Sequence, residues 1–295
     1  GIAAALTVAT VAGVSARQGG PAVPIDKDDI GGVVTGAKGP EAGVWVIAQT
    51  SDLPTKFIKT VVTDDRGRYV IPDLPAATYD VWVRGYGLVD SPKVKAGPGK
   101  ALNLRAIPAP NAKAAAEYYP ANYWYSLLEP PPPSEFPGTG RAGNGIPNTI
   151  KTQGEWIGNV KMNLGCTQCH QMGTKVTREL SPMLKSKFTS SVDAWDYRIQ
   201  MGISGAYMNS SLGPVGRKAL NVFANWSDRI EKGELPPVPP RPQGQERNIV
   251  VTQWEWSTEK TFVHDAISTD RRNPTVNGYG VVLGVEELSG DWLTI

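Results

Sequence analysis

Cysteine and histidine are nearly absent from this chain: it has two of each in 295 residues, Cys166, Cys169, His170 and His264. That scarcity excludes a disulfide framework. The two thiols are separated by only two residues, a poor span for a structural bridge, and have nothing else to pair with. A closed four-ligand zinc site is short of donors, since beyond this cluster the chain offers only His264 and carboxylates. An excess of charge of either sign is missing too. Thirty basic and 28 acidic residues leave a formal net charge of +2, so no polyanionic partner is implied and nucleic-acid binding has no support. Nor is a membrane span expected. The apolar, uncharged opening GIAAALTVATVAGVSA is short for a bilayer and rich in Ala, Gly and Thr rather than Leu. Val14, Ser15 and Ala16 are the small residues that signal peptidase requires, so residues 1–22 are expected to be the remnant of a secretory signal and its leader. A single buried or membrane helix is the alternative.

What the chain has in quantity is proline (25), glycine (32) and tryptophan (9). Proline and glycine gather at 128–148 and 233–244, which marks linkers rather than general disorder. Nine tryptophans point to packed β-structure, interfaces or a cofactor pocket. Over 28–107 the chain alternates in the manner of short strands: GGVV at 31–34, GVWVIA at 43–48, TVVT at 60–63, RYVI at 68–71 and YDVWVR at 79–84. Val, Trp and Tyr at period two, with DDRG and proline-bounded turns between, predict an antiparallel sandwich. GVWV at 43–46, TDDRGRY at 63–69 and LPAATYDVWVRGY at 74–86 resemble the carboxypeptidase-regulatory-like (transthyretin-like) domain, over about 80 residues. That resemblance implies a β-sandwich with a carbohydrate-binding-like fold for 23–107, and some such domains bind carbohydrate while many only space or adhere.

Cys166-Thr167-Gln168-Cys169-His170 is CxxCH. Two thiols on the opening turn of a helix reach the two vinyl groups of one porphyrin, and the adjoining imidazole projects onto the iron. A redox dithiol needs no following His and comes in a βαβ setting, absent here. Haem c, attached once and covalently, is therefore the expected cofactor, and its attachment outside the cytoplasmic membrane agrees with the export signal. Around the motif, residues 155–162 can form an amphipathic turn or two. Val215, Ala219, Val222, Trp226 and Ile230 make one apolar stripe on a helix from about Pro214 to Lys232, ended by Gly233. Residues 151–240 thus resemble class I cytochrome c, which implies an all-α domain whose leading helix packs across the last helix beside one haem edge.

The resemblance also implies a place for the sixth ligand, a loop of the form IxxGxxGxxM ahead of the last helix. Ile199, Gly202, Gly205 and Met208 match it, although Asn209 stands where proline is usual. Met162 and Met172 lie too near His170 to cross the ring, and Met183 would close a loop of only a dozen residues. Met208 is thus the expected partner of His170, with Met201, His264 or an open position as the alternatives. A thioether ligand raises the reduction potential relative to a second imidazole. Trp195 and Tyr207 are expected to line the crevice. Lys175, Arg178, Lys185, Lys187 and Arg198 are expected to neutralise propionates, form a docking rim or simply face solvent.

Two segments remain. Residues 108–150 form a proline-rich linker whose aromatic residues at 118–125 are expected to pack over a neighbouring domain. Residues 241–295, with strand-like runs at 249–256 and 280–283, cannot bury their apolar positions alone and are expected to begin a truncated β-rich domain. His264 beside Asp265 is expected to be structural rather than catalytic. The expected whole is an exported, periplasmic or secreted multidomain electron carrier with no catalytic residue of its own, exchanging electrons with a periplasmic redox protein or a dehydrogenase domain. Two alternatives stand beside it: the haem-bearing part of a larger secreted oxidoreductase, and a surface carbohydrate-binding or adhesion protein with an accessory haem.

Overall fold

The computed structural model describes residues 23–161, 166–202 and 204–255, and beyond them the backbone of three strands. The expected signal remnant, residues 1–22, lies outside the described residues. The chain forms a β-sheet unit followed by a helical unit, and then returns to the first.

In the sheet unit the strands are β1 (Ile30–Gly36), β2 (Gly39–Pro40), β3 (Trp45–Thr50), β4 (Lys56–Val62), β5 (Arg68–Ile71), β6 (Tyr79–Arg84), β7 (Leu88–Val89), β8 (Val94–Ala96), β9 (Lys100–Ala101), β10 (Leu104–Arg105) and β11 (Ile107–Pro108). β4, β3, β6 and β8 are neighbours in one antiparallel sheet, while β1 carries β5 and β2 antiparallel. Alternate residues turn inward, as the period-two pattern requires. Val46 and Ala48 of β3, Val61 of β4 and Val81 and Val83 of β6 meet Ile30 and Val34 of β1 and Ile71 of β5 in one core. The pairing is not wholly antiparallel as expected, for β9 and β10 run parallel to β1. These short returns are held locally: Leu102 N–H donates to the Gly31 carbonyl and Asn103 Oδ1 accepts from Val33 N–H, at 2.8 and 3.0 Å.

The helical unit contains α1 (Ala112–Ala116), α2 (Ala121–Tyr125), α3 (Gln153–Lys161), α4 (Cys166–Cys169), α5 (Lys175–Arg178), α6 (Pro182–Lys187), α7 (Ser191–Arg198), α8 (Gly205–Ser210) and α9 (Lys218–Glu231). Asn111, Ser181 and Ser190 accept backbone N–H groups at the starts of α1, α6 and α7, which satisfies donors that a helix start leaves unpaired. α9 is the spine. The stripe read from the sequence is its buried face, and Val215 is buried just ahead of it. The helix itself begins at Lys218, four residues later than expected, because the chain turns at Gly216 with φ +77°. Three buried indoles find carbonyl partners: Trp226 donates to Trp124 O (3.0 Å), Trp124 to Ala116 O (3.2 Å) and Trp156 to Val215 O (2.8 Å).

Those partners show that 108–150 is more than a linker. Tyr119, Trp124, Ile146 and Ile150 are buried in the same core as α9. Asn144 shapes the proline-rich loop by accepting from Thr139 N–H and donating to Glu135 O. The return segment also differs from expectation. β12 (Val251–Glu255) pairs antiparallel with β4 over five residues and so becomes the edge of the N-terminal sheet. Further on, β13 (Val263–Ile267), β14 (Leu283–Glu286) and β15 (Trp292–Thr294) form a small antiparallel sheet. Among the described residues no helix is long and apolar enough to cross a membrane.

Candidate functional site

The CxxCH turn sits where α3 gives way to α4. Thr167 Oγ1 donates to Lys161 O at 2.7 Å across that junction, and His170 N–H donates to Cys166 O at 3.0 Å, the i→i+4 bond of one helical turn. The chain then doubles back at Gly173, φ +96°. A Cβ at that position would lie 1.8 Å from the Ala121 carbonyl oxygen, so only glycine lets the motif's exit pass this close to α2.

The motif opens onto a cleft. Cys166, His170 and Met172 contribute one side, and Val176 and Thr177 of α5 another. Trp195 and Arg198 of α7 with Ile199, then Tyr207 and Met208 of α8 with Leu212, and Phe223 of α9 complete the wall. Its cavity volume is about 240 Å³. The lining is overwhelmingly apolar. Trp195 is held by its indole N–H on Ser227 Oγ (3.0 Å), which in turn donates to Arg178 O (2.8 Å). The Phe223 ring lies 5.3 Å from that of Trp195.

The charged members are few. Arg198 spreads its guanidinium over Trp195 at 4.5 Å and donates to Glu179 O at 3.1 Å. Burial pulls its pKa down. His170, exposed on its outer side, lines the cleft; burial first and the Arg198 charge second hold its pKa below the ordinary 6.5. Both effects favour neutral imidazole, the form that binds iron.

Several residues read from the sequence meet here: Cys166, His170, Met208, Trp195, Tyr207 and Arg198. The backbone of Cys169 closes the helical turn, but its side chain is outside the described residues. Met201 is partly exposed and does not line the cleft, and Met183 is exposed on α6. Met162 and the side chain of His264 lie outside the described residues. Four of the five basic residues stand elsewhere. Arg178 is buried against Trp124 at 3.9 Å and donates to Gly173 O at 2.9 Å. Lys175 and Lys185 pair with Glu117 and Glu231, and Lys187 covers Tyr197 at 3.7 Å. Sequence reading passed over Phe223, Leu212 and Val176. Phe223 was within reach, four residues on from Ala219 and three before Trp226, beside the stripe already identified.

No protein-family model matches the chain, and no curated protein sequence matches it.

Proposed function

We propose that this protein is an exported c-type cytochrome, its helical unit a class I-like cytochrome domain holding one covalent haem on Cys166, Cys169 and His170, with Met208 as the sixth ligand. In this reading the sheet unit is a carboxypeptidase-regulatory-like domain, and the protein passes single electrons between a periplasmic donor and acceptor. One observation supports it above all: a CxxCH turn faces an apolar cleft whose lining includes both His170 and Met208. The donor set suits the group, with two thiols at thioether spacing, an imidazole kept neutral and a thioether sulfur. Bound there, haem supplies a one-electron iron couple. The chain's own work is to exclude water and fix geometry. Trp195, Phe223, Ile199 and Leu212 form dry walls, Ser227 locks the Trp195 indole, and Arg198 sets a positive charge at the cleft.

Voltammetry of protein matured in a periplasm tests the function. The expected result is one reversible one-electron wave, absent from the Cys166→Ala/Cys169→Ala double variant. A correctly folded, periplasm-matured protein with no such wave refutes the proposal.

A further inference from the structure

Multidomain chains whose units are joined by proline-rich segments usually let those units move relative to one another. Here the return segment is LPPVPPRP at 235–242: Leu235 packs on the helical core, and PPRP at 239–242 lies against the sheet unit instead. Pro239, Pro240 and Pro242 face Trp45, Tyr86 and Tyr123 across a groove at the junction of the two units. Trp45 and Tyr86 meet edge to face at 4.8 Å. A proline run is pre-organised and has no internal hydrogen bonds to lose, so docking it on aromatic rings costs little entropy.

One side chain pins the segment. Arg241 donates from Nε to Tyr86 O (3.0 Å) and from the guanidinium to Glu41 Oε1 (2.5 Å) and Ala42 O (3.4 Å), with both charged groups partly buried. The sheet unit is shaped to receive it. Gly43 has φ +64°, and a Cβ there would stand 2.7 Å from Pro242 O and 3.3 Å from Arg241 Cβ. Beyond the pin, Arg247 donates to Pro242 O at 2.9 Å and its guanidinium pairs with Asp65. Tyr86 also meets Tyr119 of the outgoing connection, ring centres 5.7 Å apart, so both crossings converge on one residue.

We propose that residues 239–242 are an internal ligand of the aromatic groove formed by Trp45, Tyr86 and Tyr123, pinned by Arg241, and that this clasp fixes the helical unit against the sheet unit. The clasp stands whether or not the cleft holds haem. Its test is limited digestion of the full-length protein with trypsin, scored by cleavage after Arg247, together with hydrogen exchange of amides 243–250. Wild type is expected to resist cleavage there. Arg241→Ala is expected to raise cleavage and exchange at least about tenfold, with α9 amides unchanged. Arg241→Lys keeps the charge but loses the Nε donation to Tyr86, and falls between. Should Arg241→Ala fail to accumulate, Glu41→Gln removes the same ion pair and is expected to loosen the same amides. Cleavage of wild type at the rate of an unstructured peptide overturns the proposal. So does an Arg241→Ala or Glu41→Gln protein that resists trypsin as wild type does.

Discussion

The sheet unit and the helical unit draw on the same stock of apolar side chains and use them to opposite ends. In the sheet unit the inward residues of β1, β3, β5 and β6 meet one another and the core closes. In the helical unit Trp195, Phe223, Met208 and Leu212 line an apolar cleft open to solvent. Side chains on a cleft wall have protein neighbours on one side only, whereas those of a closed core have them all round. The helical unit therefore turns part of its apolar surface toward a cleft, and the sheet unit turns its own inward. The units should respond differently to the loss of a ligand, a ring or a hydrogen bond.

The largest difference is expected from the spine of the helical unit. Trp226 is fully buried and hydrogen-bonded to Trp124, so Trp226→Ala should cost about 3–5 kcal/mol, measured by denaturant unfolding. A cost below about 1 kcal/mol would mean that this core is loosely packed. Next comes removal of the proposed haem. In Cys166→Ser/Cys169→Ser protein, amides of α7 and α9 should exchange faster by on the order of a hundredfold, because nothing then fills the cleft. Those of β3 and β6 should change far less. Equal acceleration in both units would erase the contrast. Met208→Ala should abolish the red charge-transfer band of a thioether–iron bond, whereas Met201→Ala, outside the cleft, should leave it intact. In the closed unit the effects are smaller. Tyr79→Phe removes one bond to Pro75 O (2.8 Å) and should cost about 1 kcal/mol.

The smallest effect depends on pH. Partial burial would raise the Asp64 carboxyl, but the Arg68 guanidinium and the backbone N–H groups of Arg68 and Arg66 outweigh it and hold the pKa below 3.8. A carboxyl depressed on folding stabilises the folded state above its unfolded pKa. That contribution is lost as pH falls below about 3.8, through the folded-state value. Asp64→Asn should flatten this acid limb of the unfolding curve and leave stability at pH 5 to 7 displaced by a constant amount.

The two units were not equally legible in sequence. The main strands of the sheet followed from alternation alone, since each carries its own period-two record. The α9 stripe was as plain, because one helix buries one face. What escaped is what depends on chain segments meeting far apart. The aromatic residues at 118–125 were expected to pack over a neighbouring domain, and Tyr119 and Trp124 do lie in the core of α9, but nothing in the proline-rich sequence showed that Ile146 and Ile150 join it too. Pairing of β12 with β4 joins residues nearly 200 apart, and nothing local in 251–255 names that partner. At the site, spacing singled out Cys166, Cys169 and His170, of which Cys166 and His170 line the cleft. Met208 needed a family pattern, and Arg178, read as a surface cation, proved to be buried against an indole.

The account rests on covalent haem, and the pyridine haemochrome spectrum of protein matured in a periplasm tests that most directly. One haem per chain, retained through acid–acetone extraction and lost from the Cys166→Ser/Cys169→Ser variant, is the predicted result. A folded, periplasm-matured protein whose haem is absent, or is extracted entirely by acid–acetone, would contradict it.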